Sequence, residues 1–256
     1  MRHPRGRMNA TRVGSSSVGS ERVRPDGMVA SRLMMGREAT AWTLPEQVAV
    51  ALGDWILSED IAPGNRIGEE ILAKEFRVSR GPIRDALKIL EHVGLVTITN
   101  RRGAIASALT ADDLREILEL RENLFTIAIR GFGRVATDDA IVQLRRLVTA
   151  FAAVADDEQL APLYTDALDR ITLFLAHHCG NNRVGQLITT LSLQSYRYFR
   201  RGHTRGPQAT ARRMDTFKFF RDVASTLEKR RSVEPLIPRL RQLYAASERY
   251  IGDYLP

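Results

Sequence analysis

The chain is 256 residues long, 44% hydrophobic and 27% charged, and its 38 Lys and Arg against 30 Asp and Glu leave a net charge of +8. That length suits two compact domains of roughly 100 to 200 residues each, and a single cysteine, Cys179, excludes an intramolecular disulfide framework and any multi-cysteine zinc site. No stretch reaches the ~18 uncharged apolar residues of a transmembrane helix, so the basic balance points to nucleic acid or another anionic surface in a reducing cytoplasm.

Residues 1–45 hold 8 basic and 3 acidic residues, 46–107 hold 8 and 9, and the remainder 22 and 18, so more than half of the excess charge sits at the N-terminus. This opening is rich in Arg, Gly and Ser and shows no helical or strand period, which predicts a disordered basic tail over residues 1–42. Arg2, Arg5 and Arg7 are followed by no apolar core, unlike a secretory signal, and Met8, Met28, Met34 and Met35 are alternative translation starts.

Regular patterning begins at Leu44 and predicts a first domain over 43–108. Val48, Leu52, Trp55 and Ile56 follow helical spacing up to the turn at Pro63-Gly64. A second helix is predicted from Glu69 to Phe76, with Ile71, Leu72 and Phe76 inward. Ser79 is the expected N-cap of a third, in which Arg80 and Gly81 open the helix, Pro82 stands in its first turn and the end falls near His92.

The third helix has two unlike faces. Ile83, Ala86, Leu87 and Leu90 make a core stripe, while Arg80, Arg84 and Lys88, four residues apart, drift only about 40° per step and share another face. Leu95 to Thr99 is β-prone, Asn100-Arg101-Arg102-Gly103 has turn chemistry, and Ala104 to Ser107 is a returning strand. Three helices and a hairpin in this order make a winged helix-turn-helix. Arginine at the start of its third helix suits the guanine O6 and N7 acceptors of the major groove, and Arg101 and Arg102 at the wing tip suit the minor groove or phosphates. A solvated face explains any one of these cations; their convergence favours DNA.

The segments Pro63-Gly64-Asn65-Arg66-Ile67, Leu72-Ala73, Val78 to Leu87, Leu90-Glu91, Gly94-Leu95-Val96 and Arg102-Gly103 closely resemble the DNA-binding domain of GntR-family transcriptional regulators. The resemblance implies base or phosphate contacts from Arg80 and Arg84 and makes the turn before Gly103 the wing; together with the cations found by pattern, the candidate DNA contacts are Ser79, Arg80, Gly81, Pro82, Arg84, Lys88, Arg101, Arg102 and Gly103. It also implies a close approach of the backbone to DNA at Gly81, a position where Thr or Arg is common in the family.

From Thr110 onward the pattern is helical, which makes the whole chain mainly α: an N-terminal winged helix-turn-helix domain followed by an all-α helical-bundle effector domain over 109–256. Thr110-Ala111-Asp112-Asp113 has the form of a capping box opening a helix to about Arg130, and further helices are expected near 137–155, 158–179, 183–201, 208–231 and 233–252. The helix order, the Leu118-Glu119-Leu120-Arg121 segment and Cys179-Gly180-Asn181 resemble the FadR-type (FCD) branch, which implies homodimerisation and a small-molecule effector.

Many members of that branch bind a divalent metal through an Asp and a His four residues apart and two later histidines. Here those positions fall on Leu168, Thr172 and, approximately, Arg221 and Leu243, and no histidine follows His203, so no metal or other cofactor is expected. His177 and His178 are adjacent and point about 100° apart, which reads as surface or helix-end histidines. The inward stripe Leu114, Ile117, Leu118, Leu124, Phe125 and Ala128 includes Arg121, which reads either as a structural bridge to Asp169 or Asp166 or as the anchor of an acidic effector. Arg197 carries the same two readings, and the candidate effector contacts are Arg121, Arg197 and Thr172. Cys179 beside His178 is only a sequence neighbour and no phosphate loop or HExxH is found, so no enzyme is expected. The expected function is a ligand-responsive, dimeric repressor on a palindromic operator, without membrane attachment.

Overall fold

The computed structural model describes residues 41–99, 103–204 and 208–252. Arg101 and Arg102 and nearly all of the expected tail lie outside the described residues. Helix α1 (Leu44–Leu57) is followed by strand β1 (Arg66–Ile67), α2 (Glu69–Phe76), α3 (Arg80–His92), β2 (Val96–Thr99) and β3 (Gly103–Ala106). The effector domain holds α4 (Ala111–Val135), α5 (Asp138–Asp156), α6 (Ala161–His177), α7 (Asn182–Thr204), α8 (Ala209–Glu228) and, after a 3-10 turn at Glu234–Leu236, α9 (Ile237–Gly252). Pro238 has no N–H to give the Glu234 carbonyl in a continuous α-helix, so the last segment opens as that short turn rather than as one helix.

Local chemistry sets the helix starts. Glu46 Oε2 accepts the backbone N–H of Thr43 at 2.7 Å and its hydroxyl at 2.9 Å, tying down the entry to α1. At α4 the Thr110 hydroxyl accepts the Asp113 N–H at 3.1 Å. Asp113 is too short to return the favour to the Thr110 N–H, which donates instead to the Tyr198 hydroxyl, 3.0 Å away on α7. A cap that the sequence suggests locally is thus completed by tertiary structure.

The hairpin is β2 against β3, with Val96 opposite Ala106 and Thr99 opposite Gly103, and β1 adds a third antiparallel strand on the other edge of β3 through Arg66 opposite Ile105. The reader core unites Leu52 and Ile56 of α1, Leu72 of α2, Ile83, Leu87 and Leu90 of α3, and Val96 and Ala104 of the sheet. Two sequence expectations change here. Trp42, assigned to the tail, is 6% exposed and belongs to this core, so the folded domain already includes it. Ile71, expected inward, is 71% exposed, because α2 is only two turns long and docks through Leu72 and through Phe76, which stacks on Trp55 at 5.2 Å.

The effector core is built around Phe125 and Phe132 of α4, Phe151 of α5, Tyr164 of α6 and Phe219 and Phe220 of α8. Helix packing is close: a Cβ on Gly131 of α4 would stand 2.4 Å from the Cys179 carbonyl oxygen, and one on Gly202 of α7 would stand 2.5 Å from Ile251. Helix α7 contributes Val184 and Ile188 to the effector core, Leu193 and Tyr196 to the reader core, and Tyr198 and Phe199 to a smaller cluster with Leu114, Leu118 and Ile251. Its arginines complete the attachment. Arg200 donates to the Leu57 carbonyl at 3.2 Å, Arg197 to the Ser107 carbonyl at 2.8 Å, and Arg201 makes a two-pronged pair with Glu59 at 2.7 and 2.9 Å. Burial opposes the charge on Glu59, but the Arg201 hydrogen bond and the neighbouring cations outweigh it and hold the carboxyl below its ordinary value.

Candidate nucleic-acid interface and effector cavity

Helix α3 carries the two faces its sequence predicts. Ile83, Ala86, Leu87 and Leu90 are buried, and Arg80, Arg84 and Lys88 are exposed together on another side. Each cation rests on a carboxylate: Arg84 Nε lies 2.8 Å from Glu69, Arg80 Nη2 3.3 Å from Glu70, and Lys88 Nζ 3.1 Å from Asp85. The Glu69 hydrogen bond and charge raise the Arg84 pKa further, so it is a permanent cation. These pairs are solvent-exposed and weak, and a phosphate or a base edge can replace them with little loss. Glu69 and Glu70 also occupy the first turn of α2, where negative charge is favoured, so they hold the two arginines extended beside the helix-turn-helix.

At Gly81 a Cβ would meet only the Ser79 hydroxyl, at 3.9 Å. The protein itself therefore does not demand glycine there; what glycine provides is open space on the exposed side of the helix start. Ser79 has extended backbone at the N-cap without a side-chain capping bond, which leaves its hydroxyl available. Pro82 stands in the first turn. The wing is joined to α3 by Glu91, whose Oε1 accepts the Ile98 N–H at 3.1 Å. Gly103 opens β3 with φ +71°, a conformation that favours glycine.

Two further cations belong to this surface. Arg66 on β1 brings its guanidinium to 3.8 Å from where a Cβ on Gly103 would stand, beside the wing. Arg77 is exposed in the turn between α2 and α3 with φ 55° and ψ 44°, a left-handed conformation that glycine would adopt without strain. Neither is among the contacts expected from the sequence, because a two-residue strand and a turn leave no periodic signal.

Arg121, 3% exposed, is the polar centre of the effector domain. Its Nη1 donates to the hydroxyls of Ser192 at 2.9 Å and Ser195 at 2.8 Å, and its Nη2 lies 3.9 Å from Asp169. Its Nε has no partner. Asp166, the other suggested partner, instead accepts the Tyr196 hydroxyl at 3.0 Å. Arg121 also lines a cavity with Phe125, Leu168, Thr172, Phe199 and His203, closed on the far side by α8 and α9, with about 50 Å³ of free space. The Thr172 hydroxyl donates to the Leu168 carbonyl at 3.0 Å. The structure thus brings Arg121 and Thr172 together and separates them from Arg197, which faces the reader. The third buried arginine, Arg213, was not singled out by sequence; all three of its nitrogens are bonded, to the Ala155 carbonyl, the His203 carbonyl and the Thr210 hydroxyl. It is a structural strut.

The sequence matches the bacterial regulatory proteins of the gntR family over residues 44–105 and the FCD domain over residues 116–234. This chain joins a GntR-family DNA-binding domain to an FCD domain. Over 74 residues it is 43% identical to the HTH-type transcriptional regulator YdhC of Bacillus subtilis (strain 168), covering 29% of this chain and 33% of that one. Over 102 residues it is 35% identical to the gluconate operon transcriptional repressor of Bacillus licheniformis, covering 40% and 42%. It spans less than half the length of these relatives. The fold of Escherichia coli McbR/YncC is similar, with a TM-score of 0.68 and 16% identity over 83% of this chain and 99% of that one.

Leu168, Thr172 and Leu243, at positions where the family resemblance places metal ligands, do converge on the cavity. Their side chains offer no carboxylate or imidazole, and nearby Asp169 is turned to Arg121. Among the described residues no three His, Cys, Asp or Glu side chains gather as metal ligands. His177 is bonded to the Thr189 hydroxyl and His178 to the Phe174 carbonyl, each at 2.8 Å.

His203 stacks on Phe199 at 5.3 Å, and burial, followed by the charges of Arg212 and Arg213, pushes its pKa down to about 3. The unfolded imidazole, near 6.5, binds a proton that the native one refuses, so stability falls as pH drops from about 6.5 toward 3. Urea unfolding should therefore show a loss of about 2 kcal/mol between pH 7 and pH 5 attributable to this group. A His203→Leu protein should lack that share, and equal pH dependence in both proteins would contradict the assignment.

Proposed function

We propose that this protein is a sequence-specific DNA-binding transcriptional regulator, a homodimeric repressor whose grip on a palindromic operator is changed by a small-molecule effector. The observation that carries the reading is helix α3, whose buried stripe fixes its angle while Arg80, Arg84 and Lys88 stand free of the core beside the wing. Placed in the major groove by its N-terminal end, the helix offers guanidinium groups to guanine edges, and Arg66 and Arg77 reach phosphates on either side. Repression is supported by the name of the matched gluconate operon repressor. Dimerisation is supported by Leu120 and Ile127, 54% and 44% exposed and seven residues apart on α4, an apolar face suited to a second copy. A regulator of this kind works in the cytoplasm, and none of its described helices is long and apolar enough to cross a membrane.

The effector reading rests on the cavity around Arg121. A guanidinium with one unpartnered nitrogen, two serine hydroxyls and an aromatic wall suits a compact acidic ligand with an apolar body. With so little space free, such a ligand must displace Phe199 or its neighbours, which is how binding would be felt elsewhere. We read the cavity as working without a divalent metal, and the protein as a regulator rather than an enzyme.

In gel-shift titrations with an operator fragment, Arg84→Ala should weaken specific binding by roughly 1–3 kcal/mol. Arg66→Ala should instead weaken specific and non-specific binding alike and reduce the slope of log K against log salt by about 0.9. Unchanged affinity in Arg84→Ala would sink the recognition-helix assignment. Zinc at stoichiometric levels should leave the melting temperature unchanged, and a rise of several degrees would overturn the metal-free reading.

A further inference from the structure

A second cavity is roomier than the one around Arg121. A cleft of about 440 Å³ lies between the wing and the effector domain, lined on the reader side by Gly94, Thr97 and Ser107 and on the other by Glu116, Gln194 and Arg197. That volume is in the range of ligand pockets, roughly 300–1,000 Å³. Ile117, Leu120 and Leu191 form its apolar wall.

The polar groups of this cleft are incompletely matched. Arg197 is 1% exposed, and while its Nη2 reaches the Ser107 carbonyl, its Nε and Nη1 have no partner. Burying a cationic fork with two of three nitrogens unpaired is costly, and the contrast with the fully bonded Arg213 shows that the fold can do otherwise. Burial lowers the Arg197 pKa to about 10, which still leaves it charged at neutral pH. Glu116, on the exposed side of α4, contributes a carboxylate to the same cleft. Cation, anion and apolar wall thus line one space.

We propose that this interdomain cleft is a second small-molecule site, for an apolar α-amino acid whose carboxylate pairs with Arg197, whose ammonium group pairs with Glu116 and whose side chain lies on Ile117 and Leu191. A carboxylate can accept from Nε or from Nη1, neither of which has a partner, and at either one it makes a charge-assisted hydrogen bond. The site is distinct from the effector cavity, and because Arg197 also holds Ser107 at the end of the wing, an occupant would bear on how the reader is docked.

Titration calorimetry on the full chain with L-leucine, L-isoleucine, L-valine and L-phenylalanine, without DNA, tests the site independently of the regulator reading. At least one should bind at up to about 10 mM, and 4-methylpentanoate, which lacks the ammonium group, should bind at least about tenfold more weakly than L-leucine or its best-binding analogue. Glu116→Gln, an exposed change expected to leave the fold intact, should weaken the amino acid about tenfold and leave 4-methylpentanoate unaffected. Arg197→Gln should abolish both. Absence of binding by all four amino acids, or equal weakening of both ligand types by Glu116→Gln, would overturn the proposal. Loss of binding in Arg121→Gln with retention in Arg197→Gln would overturn it too, placing the ligand in the other cavity.

Discussion

The arrangement depends on helix α7 having to satisfy two domains with opposite sides of one rod. Leu193, Tyr196, Arg197, Arg200 and Arg201 follow the three- and four-residue spacing of a single helical face and meet the reader, two as buried apolar contacts and three as hydrogen-bond donors. Ser192, Ser195, Phe199 and His203 make the other face and meet Arg121 or its cavity. Arg200 reaches the C-terminal end of α1, where the helix dipole favours a cation, and Arg201 holds Glu59 in a left-handed conformation of φ 67° that a free glutamate rarely adopts. Neither face can be reoriented without disturbing the other.

That constraint gives the effector cavity its mechanical meaning. With about 50 Å³ of free space, it would admit a ligand only if side chains moved, and Phe199 and His203 are among those in the way. A close-packed core answers by a discrete shift rather than by yielding locally. The neighbouring backbone is already tight where Gly202 of α7 meets Ile251 of α9, which leaves α7 little room to move toward α9. Arg213 anchors the far end by bonding the His203 carbonyl, which makes it a fixed point of the same helix.

Much of this was legible in the chain. The two faces of α3 followed from four apolar and three basic residues at helical spacing, and Arg121 in an apolar stripe announced a buried charge needing an acidic partner, without saying whether that was Asp169, Asp166 or a ligand. What could not be read was partnership across long distance. The Thr110 cap is completed by Tyr198, and nothing near Thr110 says so. Arg197 looked equivalent to Arg121 because periodicity says that a residue faces inward and not which domain it faces. Trp42 belongs to the core although it precedes any periodic segment, and Ile71 is exposed although its helix has an apolar stripe, because a helix as short as α2 buries only what its neighbours cover. Arg66 sits in a two-residue strand defined by its pairing with Ile105 rather than by its own sequence.

The most direct test of this coupling is hydrogen exchange, followed by mass spectrometry, on the full chain with and without Phe199→Ala, a change that touches the effector cavity and no reader residue. If α7 joins the two sites, amides at Leu57 to Ile61 and around Ser107 exchange faster in the variant, because the arginines that hold them lose their fixed register. If faster exchange is confined to the effector domain while those reader segments keep their wild-type protection, α7 is a passive tether and the account is contradicted.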